Sequence, residues 1–247
     1  MGALVPATLA ALAAGSLLAA GCQSTQATSA EREAAGQKLV GSEKGVKVTE
    51  TNPDIKVVDT TLLTDANGSA IVVELKNTSD QGYANVPISV DVKDDKGKSV
   101  FKNNLPGLEP ALTSMPQIEG NTTAYWVNDQ VLATGEPDSA KVKVGISDEP
   151  LPSTYPEIKV SEPKLSKEQY SGIEASGEAE NLSSIDQEDV RMFAVATEGG
   201  KVVAAGRGGI KRLLAGADHP AHYHTFFIGN PEGADDISVV AFPTTLR

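Results

Sequence analysis

The chain has 247 residues, and its 33 acidic residues outnumber its 21 lysines and arginines, giving a net charge of −12. That charge excludes nucleic acid as an expected partner, because phosphates repel such a surface, and it argues against the body lying flat on anionic lipid. A single cysteine excludes any disulfide within the chain, so hydrophobic packing must stabilise the fold. The length suits two domains of about 100 residues each.

Residues 3–21 are rich in alanine and leucine and carry no charge. About 19 apolar residues are enough to span a bilayer, so an uncleaved helix is one interpretation. The short apolar core and the small residues before Cys22 favour a signal peptide over residues 1–21. The run LAAGC, which ends at Cys22, resembles the lipobox of bacterial lipoproteins. The resemblance implies a diacylglyceryl thioether and an acylated amine on Cys22, with the chain anchored on the extracytoplasmic face of the cell membrane.

Residues 22–50 are dominated by serine, threonine, glutamine, alanine, glycine and charged residues. Few large apolar side chains are present to offset the entropy of ordering. The composition predicts a flexible tether between the membrane and the folded body.

An internal repeat with an offset of 103 or 104 residues organises the rest of the chain. Ile55-Lys56-Val57 recurs as Ile158-Lys159-Val160, and Asn77-Thr78-Ser79 recurs as Asn181-Leu182-Ser183. A late alternating segment recurs at the shorter offset of 95, at Lys141 and Asp236. We therefore predict two copies of one unit, over residues 51–147 and 158–247, joined by a stiff proline-rich linker at residues 148–157.

Each copy is dense in strand signals. The run from Ala70 to Leu75 is rich in β-branched residues, and alternation from Val86 to Val92 predicts one apolar face. Asp94-Asp95-Lys96-Gly97 and Glu198-Gly199-Gly200-Lys201 predict equivalent hairpin turns. Pro87 lacks an N–H and favours an edge or a strand start. Strands separated by turns, without helical periodicity, predict an all-β fold of two tandem antiparallel sandwiches.

The segments Val73–Ser79 and Val86–Lys98 carry a resemblance to a known family. Their sequences, VELKNTS and VPISVDVKDDKGK, are similar to the FxLYD-type and related immunoglobulin-like domains of bacterial lipoproteins. That resemblance implies an immunoglobulin-like sandwich in each copy. It implies no catalytic activity.

All three histidines of the chain fall in one short segment, as His219, His222 and His224. On a strand, His222 and His224 point to the same face, which suits a zinc or copper ion bound by neutral imidazoles, with His219 as a third ligand. The alternative is that they are surface or edge residues with no ligand. No other cofactor is indicated.

The glycine-rich run Gly206-Arg207-Gly208-Gly209 lacks the context of a phosphate-binding loop, and we interpret it as a flexible loop or bulge. Arg207, Lys211 and Arg212 form a small basic island, which is either a solvated edge or a contact for lipid or an acidic partner. No nucleophile elbow or paired carboxylate stands out, so catalytic residues are not expected.

Together these features predict a non-enzymatic, lipid-anchored binding or scaffolding module of the bacterial cell envelope, with an envelope protein as partner. Its strand edges or loops contact that partner. The alternative is an envelope lipoprotein that binds zinc or copper through the histidine segment. Trp126, in an apolar strand, is read as a core residue, and only exposure makes it a binding anchor.

Overall fold

A computed structural model of the chain describes residues 45–168 and 172–246. Within these ranges the backbone forms fifteen β-strands and one turn of 3₁₀ helix at Pro110–Leu112, without any α-helix. No helical segment in this part of the chain has the length and apolar character that a bilayer crossing requires. The predicted signal peptide, Cys22 and the tether up to residue 44 lie outside the described residues. The predicted all-β class is confirmed, with the strands arranged in several antiparallel sheets.

The first half of the body contains two sheets. Its strands are β1 (Ile55–Asp65), β2 (Gly68–Asn77), β3 (Tyr83–Lys93), β4 (Ser99–Lys102), β5 (Ser114–Ile118), β6 (Thr123–Asn128) and β7 (Ser139–Val144). In sheet I, β3 pairs with β4, β5 and β7, and in sheet II the order is β1-β2-β6. All of these pairings are antiparallel.

The second half also contains two sheets. Its strands are β8 (Ile158–Val160), β9 (Lys164–Glu168), β10 (Gly172–Asn181), β11 (Gln187–Glu198), β12 (Lys201–Leu213), β13 (Gly216–Phe226), β14 (Ile228–Gly229) and β15 (Asp236–Phe242). Sheet III has the order β14-β12-β11-β15. In sheet IV, β10 pairs with β13, β8 and β9. These pairings too are antiparallel.

The strand pairing of the first half recurs in the second. Asn77 lies opposite Ile55, and Asn181 lies opposite Ile158. Each of the two asparagines is fully buried and donates from Nδ2 to the carbonyl four residues ahead, at 2.8 and 2.7 Å respectively. Each also accepts from the N–H two residues ahead, at 3.0 and 3.1 Å. The recurring sequence motif is therefore a recurring turn, in which a side chain satisfies buried backbone groups.

The hairpin turns form where the sequence predicts them. Gly97 has φ of 77°, and Gly199 and Gly200 have φ of 56° and 74°. This left-handed region is open to glycine at little cost, because glycine has no Cβ.

The first core lies between sheets I and II. The alternating side chains of β3 all point into it, with exposed fractions of 2% or less at Val86, Ile88, Val90 and Val92. They belong to the same apolar cluster as Trp126, from β6. The sequence predicted this face of β3. Successive side chains of a strand point to opposite faces, so apolar and polar residues alternate when one face lies in the core and the other meets solvent.

Sheet II is buried on its other face as well. Val72 and Val127, on β2 and β6, are at most 1% exposed and share an apolar cluster with Phe193, Val195 and Ala205 of sheet III. Strands β11 and β12 contact β6 directly. A third interface, between sheets III and IV, buries Val190, Met192 and Ile210 of sheet III together with Ala179 and Tyr223 of sheet IV. The four sheets thus pack in the order I, II, III, IV, and the described residues belong to one compact unit.

Polar contacts reinforce the junction between sheets II and III. Arg207 has a side chain only 10% exposed, and its backbone N–H and Nε donate to the two carboxylate oxygens of Asp129 at 3.1 and 2.7 Å. Its Nη2 donates to Glu109 at 3.1 Å. The other two members of the basic island also have carboxylate partners, since Lys211 pairs with Asp189 at 2.7 Å and Arg212 with Asp186 at 2.9 Å. The island is therefore an array of ion pairs, and Arg207 belongs to the junction.

Two local predictions are wrong. Gly206 to Gly209 lie inside the regular strand β12 and form neither a loop nor a bulge. A Cβ at Gly206 would lie 1.9 Å from the carbonyl oxygen of Phe226, and one at Gly208 would lie 2.4 Å from Thr225 Oγ1. Glycine is needed there because β13 crosses β12 at very short range.

Pro87 lies inside β3, not at an edge or a strand start. There β3 is paired with β5 on one side, while the carbonyl of Pro87 accepts the N–H of Gly145 on the other. Asn85, two residues earlier, has φ of 48°, so the strand is irregular where the proline is accommodated.

Both connecting segments pack against sheet I where they are described. In the proline-rich segment, the N–H of Leu151 donates to Gly82 at 2.8 Å, and the Leu151 side chain is 8% exposed. At the other end, Thr51 bridges to Gly145, and a Cβ at Gly45 would lie 1.7 Å from the carbonyl oxygen of Asn104. Residues 45–51 therefore run in close contact with sheet I, so the described end of the predicted tether, residues 45–50, packs against the body.

Candidate functional site

The three histidines lie on β13, which forms one end of sheet IV. Tyr223 and Thr225 point inward and are at most 1% exposed, whereas His222, His224 and Phe226 point outward. The His222 and His224 side chains are 77% and 59% exposed, and Phe226 is 44% exposed. We call this outer surface the histidine face. It comprises His222, His224 and Phe226 of β13 with Glu174, Ser176 and Glu178 of β10.

Carboxylates from β10 lie beside the imidazoles. His222 is directly opposite Glu178, with Nε2 and Oε1 3.9 Å apart, and Nδ1 of His224 lies 3.4 Å from Oε2 of Glu174. Glu174 has a side chain only 12% exposed, and it also accepts a hydrogen bond of 3.0 Å from Ser166 Oγ. Each imidazole therefore has its own carboxylate neighbour, and both lie at the protein surface.

His219 lies apart from this arrangement. Its Nε2 is 3.6 Å from the adjacent Asp218, in the stretch of β13 where the register with β10 shifts. Among the residues described, no three histidine, cysteine or acidic side chains converge in a way that would hold a metal ion. A zinc or copper site at His219, His222 and His224 stays a prediction.

The corresponding face of the first half lies on sheet II and is largely buried. Tyr125 lies opposite Glu74 as His222 lies opposite Glu178, so Tyr125 and Val127 are the counterparts of His222 and His224. Val127 is fully buried because sheet III packs over sheet II. Nothing in the described chain packs over the histidine face of sheet IV in the same way, and its polar side chains other than Glu174 meet solvent. The two copies differ most at this face because one copy uses it internally.

The pairing also shows which residue replaces Trp126 in the second half. Trp126 pairs with Val73, and Tyr223 pairs with Gly177 at the corresponding position. Both aromatic rings are buried, and burial raises the pKa of the Tyr223 hydroxyl above its ordinary value. Trp126 is fully buried and donates from Nε1 to the carbonyls of Ala111 and Ser114, at 2.8 and 3.1 Å. It is a core residue, and the alternative of an exposed anchor is excluded.

A second polar surface was not foreseen from the sequence. A groove of about 300 Å³ on the outer side of sheet I is lined by four lysines, Lys47, Lys102, Lys141 and Lys143, and by Asp91 as its one acidic residue. We call these five residues the lysine face. Asp91 is opposite both Lys102 and Lys141 in the sheet, and its Oδ2 lies 3.6 Å from Lys102 Nζ. These lysines are far apart in the sequence, and only the sheet register brings them together.

Comparison with known proteins does not assign the chain to a family. No protein-family model matches the sequence, and no curated protein matches it. The resemblance to FxLYD-type domains therefore stays a prediction that rests on the quoted residues alone.

Proposed function

We propose that this chain is a lipid-anchored, non-enzymatic binding or scaffolding module on the extracytoplasmic face of a bacterial cell membrane. The observation that carries the proposal is the lone cysteine, Cys22, placed after a run of small and apolar residues and ahead of a polar segment. A cysteine in that setting is suited to acylation, and more than one acyl chain is needed for stable anchoring. The all-β body that follows fits a rigid platform raised from the membrane.

The surface of the body favours binding over catalysis. Strand β13 pairs only with β10 among the described strands, so its other edge is open for a partner strand over part of its length. Phe226 lies half-exposed at one end of the histidine face, opposite Glu174 and two residues from His224. Protein interfaces use exposed aromatic side chains of this kind beside polar ones. These features support the histidine face, together with the neighbouring edge of β13, as the partner surface.

The anchor can be tested by metabolic labelling of cells with a fatty-acid probe. We expect the wild-type chain to incorporate the probe and to sediment with membranes, and Cys22→Ala to lose both properties because no thiol remains for the thioether. Gly21→Ala is the matched control, since it keeps a small residue before the cysteine, and it should label as the wild type does. A wild-type chain that stays unlabelled and soluble contradicts the anchor.

The partner surface can be tested by photo-crosslinking in cells. A photoreactive phenylalanine analogue at Phe226 is expected to give a discrete adduct with an envelope protein, because Phe226 is the exposed apolar side chain of the histidine face. The same analogue at Leu182, which is also 44% exposed but lies outside that face, serves as the control. Adducts of equal yield and identity from both positions would argue against a specific surface, and no adduct from position 226 would argue against this face.

A further inference from the structure

The lysine face has a charge opposite to that of the whole protein. Four lysines meet one aspartate there, which leaves three uncompensated positive charges on a chain whose net charge is −12. Of the four lysines, only Lys102 forms an ion pair with another described residue, and its side chain is still 49% exposed. Charges beyond about 10 Å are largely screened at moderate ionic strength, so a nearby ligand responds to this local cluster more than to the net charge.

The lysine face also includes Lys47, close to the start of the described chain. Residues 46–48 line the groove themselves, so the start of the described chain runs through the basic surface. The packing order places the lysine face on the outside of sheet I and the histidine face on the outside of sheet IV. One end of the stack is therefore basic and includes residues 46–48, and the other carries the carboxylates of Glu174 and Glu178.

The second half shows that the basic surface is not a requirement of the fold. Pairing in the sheets makes Phe193, Val195, Ala205 and Val240 the counterparts of Ser89, Asp91, Lys102 and Lys143. In the second half, Phe193, Val195 and Ala205 are buried in the apolar cluster that sheet III shares with sheet II. In the first half these four positions are polar. The two that lie on β4 and β7, Lys102 and Lys143, are both lysines. If these positions needed only to be soluble, acidic side chains would serve as well as lysines.

We propose that the lysine face contacts the anionic phospholipid headgroups of the membrane to which the chain is tethered. This inference rests on the proposed anchoring at Cys22. Lysine ammonium groups near an anionic bilayer attract the phosphate headgroups, and the contribution falls off within a Debye length. The acyl anchor holds the chain at the membrane, the lysine face turns sheet I toward it, and the histidine face then points away, toward a partner.

The test uses the body from Gln23 to Arg247, which contains every described residue and lacks the cysteine. Its sedimentation with vesicles of roughly one-third phosphatidylglycerol in phosphatidylcholine is measured at low ionic strength. The triple variant Lys102→Gln, Lys141→Gln, Lys143→Gln should bind about tenfold more weakly, or worse. The control variant Lys159→Gln, Lys167→Gln, Lys201→Gln removes the same charge from exposed positions of the second half, and its binding should change less than about twofold.

Three results would overturn the proposal: equal loss of binding in the two triple variants, equal binding to pure phosphatidylcholine vesicles, or release by inorganic phosphate beyond that caused by sodium chloride of the same ionic strength. The last would indicate a site for a small anion. Circular dichroism checks the fold of each variant, and single substitutions at Lys141 and Lys143 carry the comparison if the triple variant is perturbed. Because the body is not acylated, failure here leaves the labelling test of Cys22 unaffected.

Discussion

Replacing Asn103 with alanine should lower the free energy of unfolding by about 4 kcal/mol, although the residue lies in no predicted motif. Asn103 is fully buried, and its side chain fills the gap in sheet I between the end of β4 and the start of β5. Its Oδ1 accepts the N–H of Val90 at 2.8 Å, and its Nδ2 donates to the carbonyls of Ile88 and Leu112 at 2.8 and 2.9 Å. A buried backbone group that loses its partner costs about 1–3 kcal/mol, and this substitution affects three of them.

The second half shows what the asparagine replaces. There the corresponding strand, β12, is continuous, and Gly206 pairs with Ala194 through the backbone at the position that corresponds to Asn103. In the first half the chain leaves the sheet after β4, and the amide side chain supplies the missing hydrogen bonds to β3. Asn103→Asp keeps the acceptor but faces two carbonyls with a carboxylate, so it should destabilise at least as much as alanine at neutral pH.

Urea unfolding followed by fluorescence of Trp126, the single tryptophan, measures the Asn103 effect. Asn104→Ala is the matched control, because that neighbouring residue is exposed, and its effect should stay within about 0.5 kcal/mol. Equal effects at positions 103 and 104 would show that the side chain does not replace the strand pairing.

Replacing Trp126 with alanine should cost about 3–5 kcal/mol. The substitution opens a large cavity between sheets I and II and leaves the carbonyls of Ala111 and Ser114 without the indole donor. Trp126→Phe should cost about half as much, because the ring still fills part of the space while the donor is lost. Circular dichroism in urea follows both variants, since the fluorescent residue is gone.

Tyr223 provides the control for Trp126, as it holds the corresponding position in the second half. Its hydroxyl lies 3.4 Å from the carbonyl oxygen of Ser161, a long and weak contact. Tyr223→Phe should therefore cost less than about 1 kcal/mol. A Trp126→Phe variant as stable as the wild type would show that the indole hydrogen bonds contribute nothing beyond the packing.

Local chemistry explains why much of the fold could be predicted. Alternation in β3, the glycines of the two hairpin turns and the repeated asparagine turns each depend on residues close together in the chain, so their pattern is visible in one dimension. The glycines of β12 show the limit of this reasoning. Gly206 and Gly208 accommodate the approach of β13, and nothing in their own neighbourhood reports a strand that is distant in the sequence.

The candidate surfaces, too, were only partly predictable from the sequence. The clustering of three histidines and their alternation on a strand are visible from residues 219–224, but the carboxylates beside them come from β10, more than forty residues earlier. The lysine face combines residues from four separate segments, so spacing gave no signal for it. The histidine face of sheet IV is exposed and its counterpart on sheet II is covered, because sheet III packs on sheet II.

Sequence pattern therefore decided the strand content, the turns, the duplication and the candidate anchor at Cys22, because each is written in neighbouring residues or in a fixed offset. Tertiary packing alone decided that the two copies share a buried junction, and that a basic and a histidine-bearing face lie on the outside of the first and last sheets. The physical reason is that a sheet has two faces. Whether both are covered depends on an apolar cluster that joins Val72 and Val127 of sheet II to Phe193 of sheet III, residues that only the fold brings together.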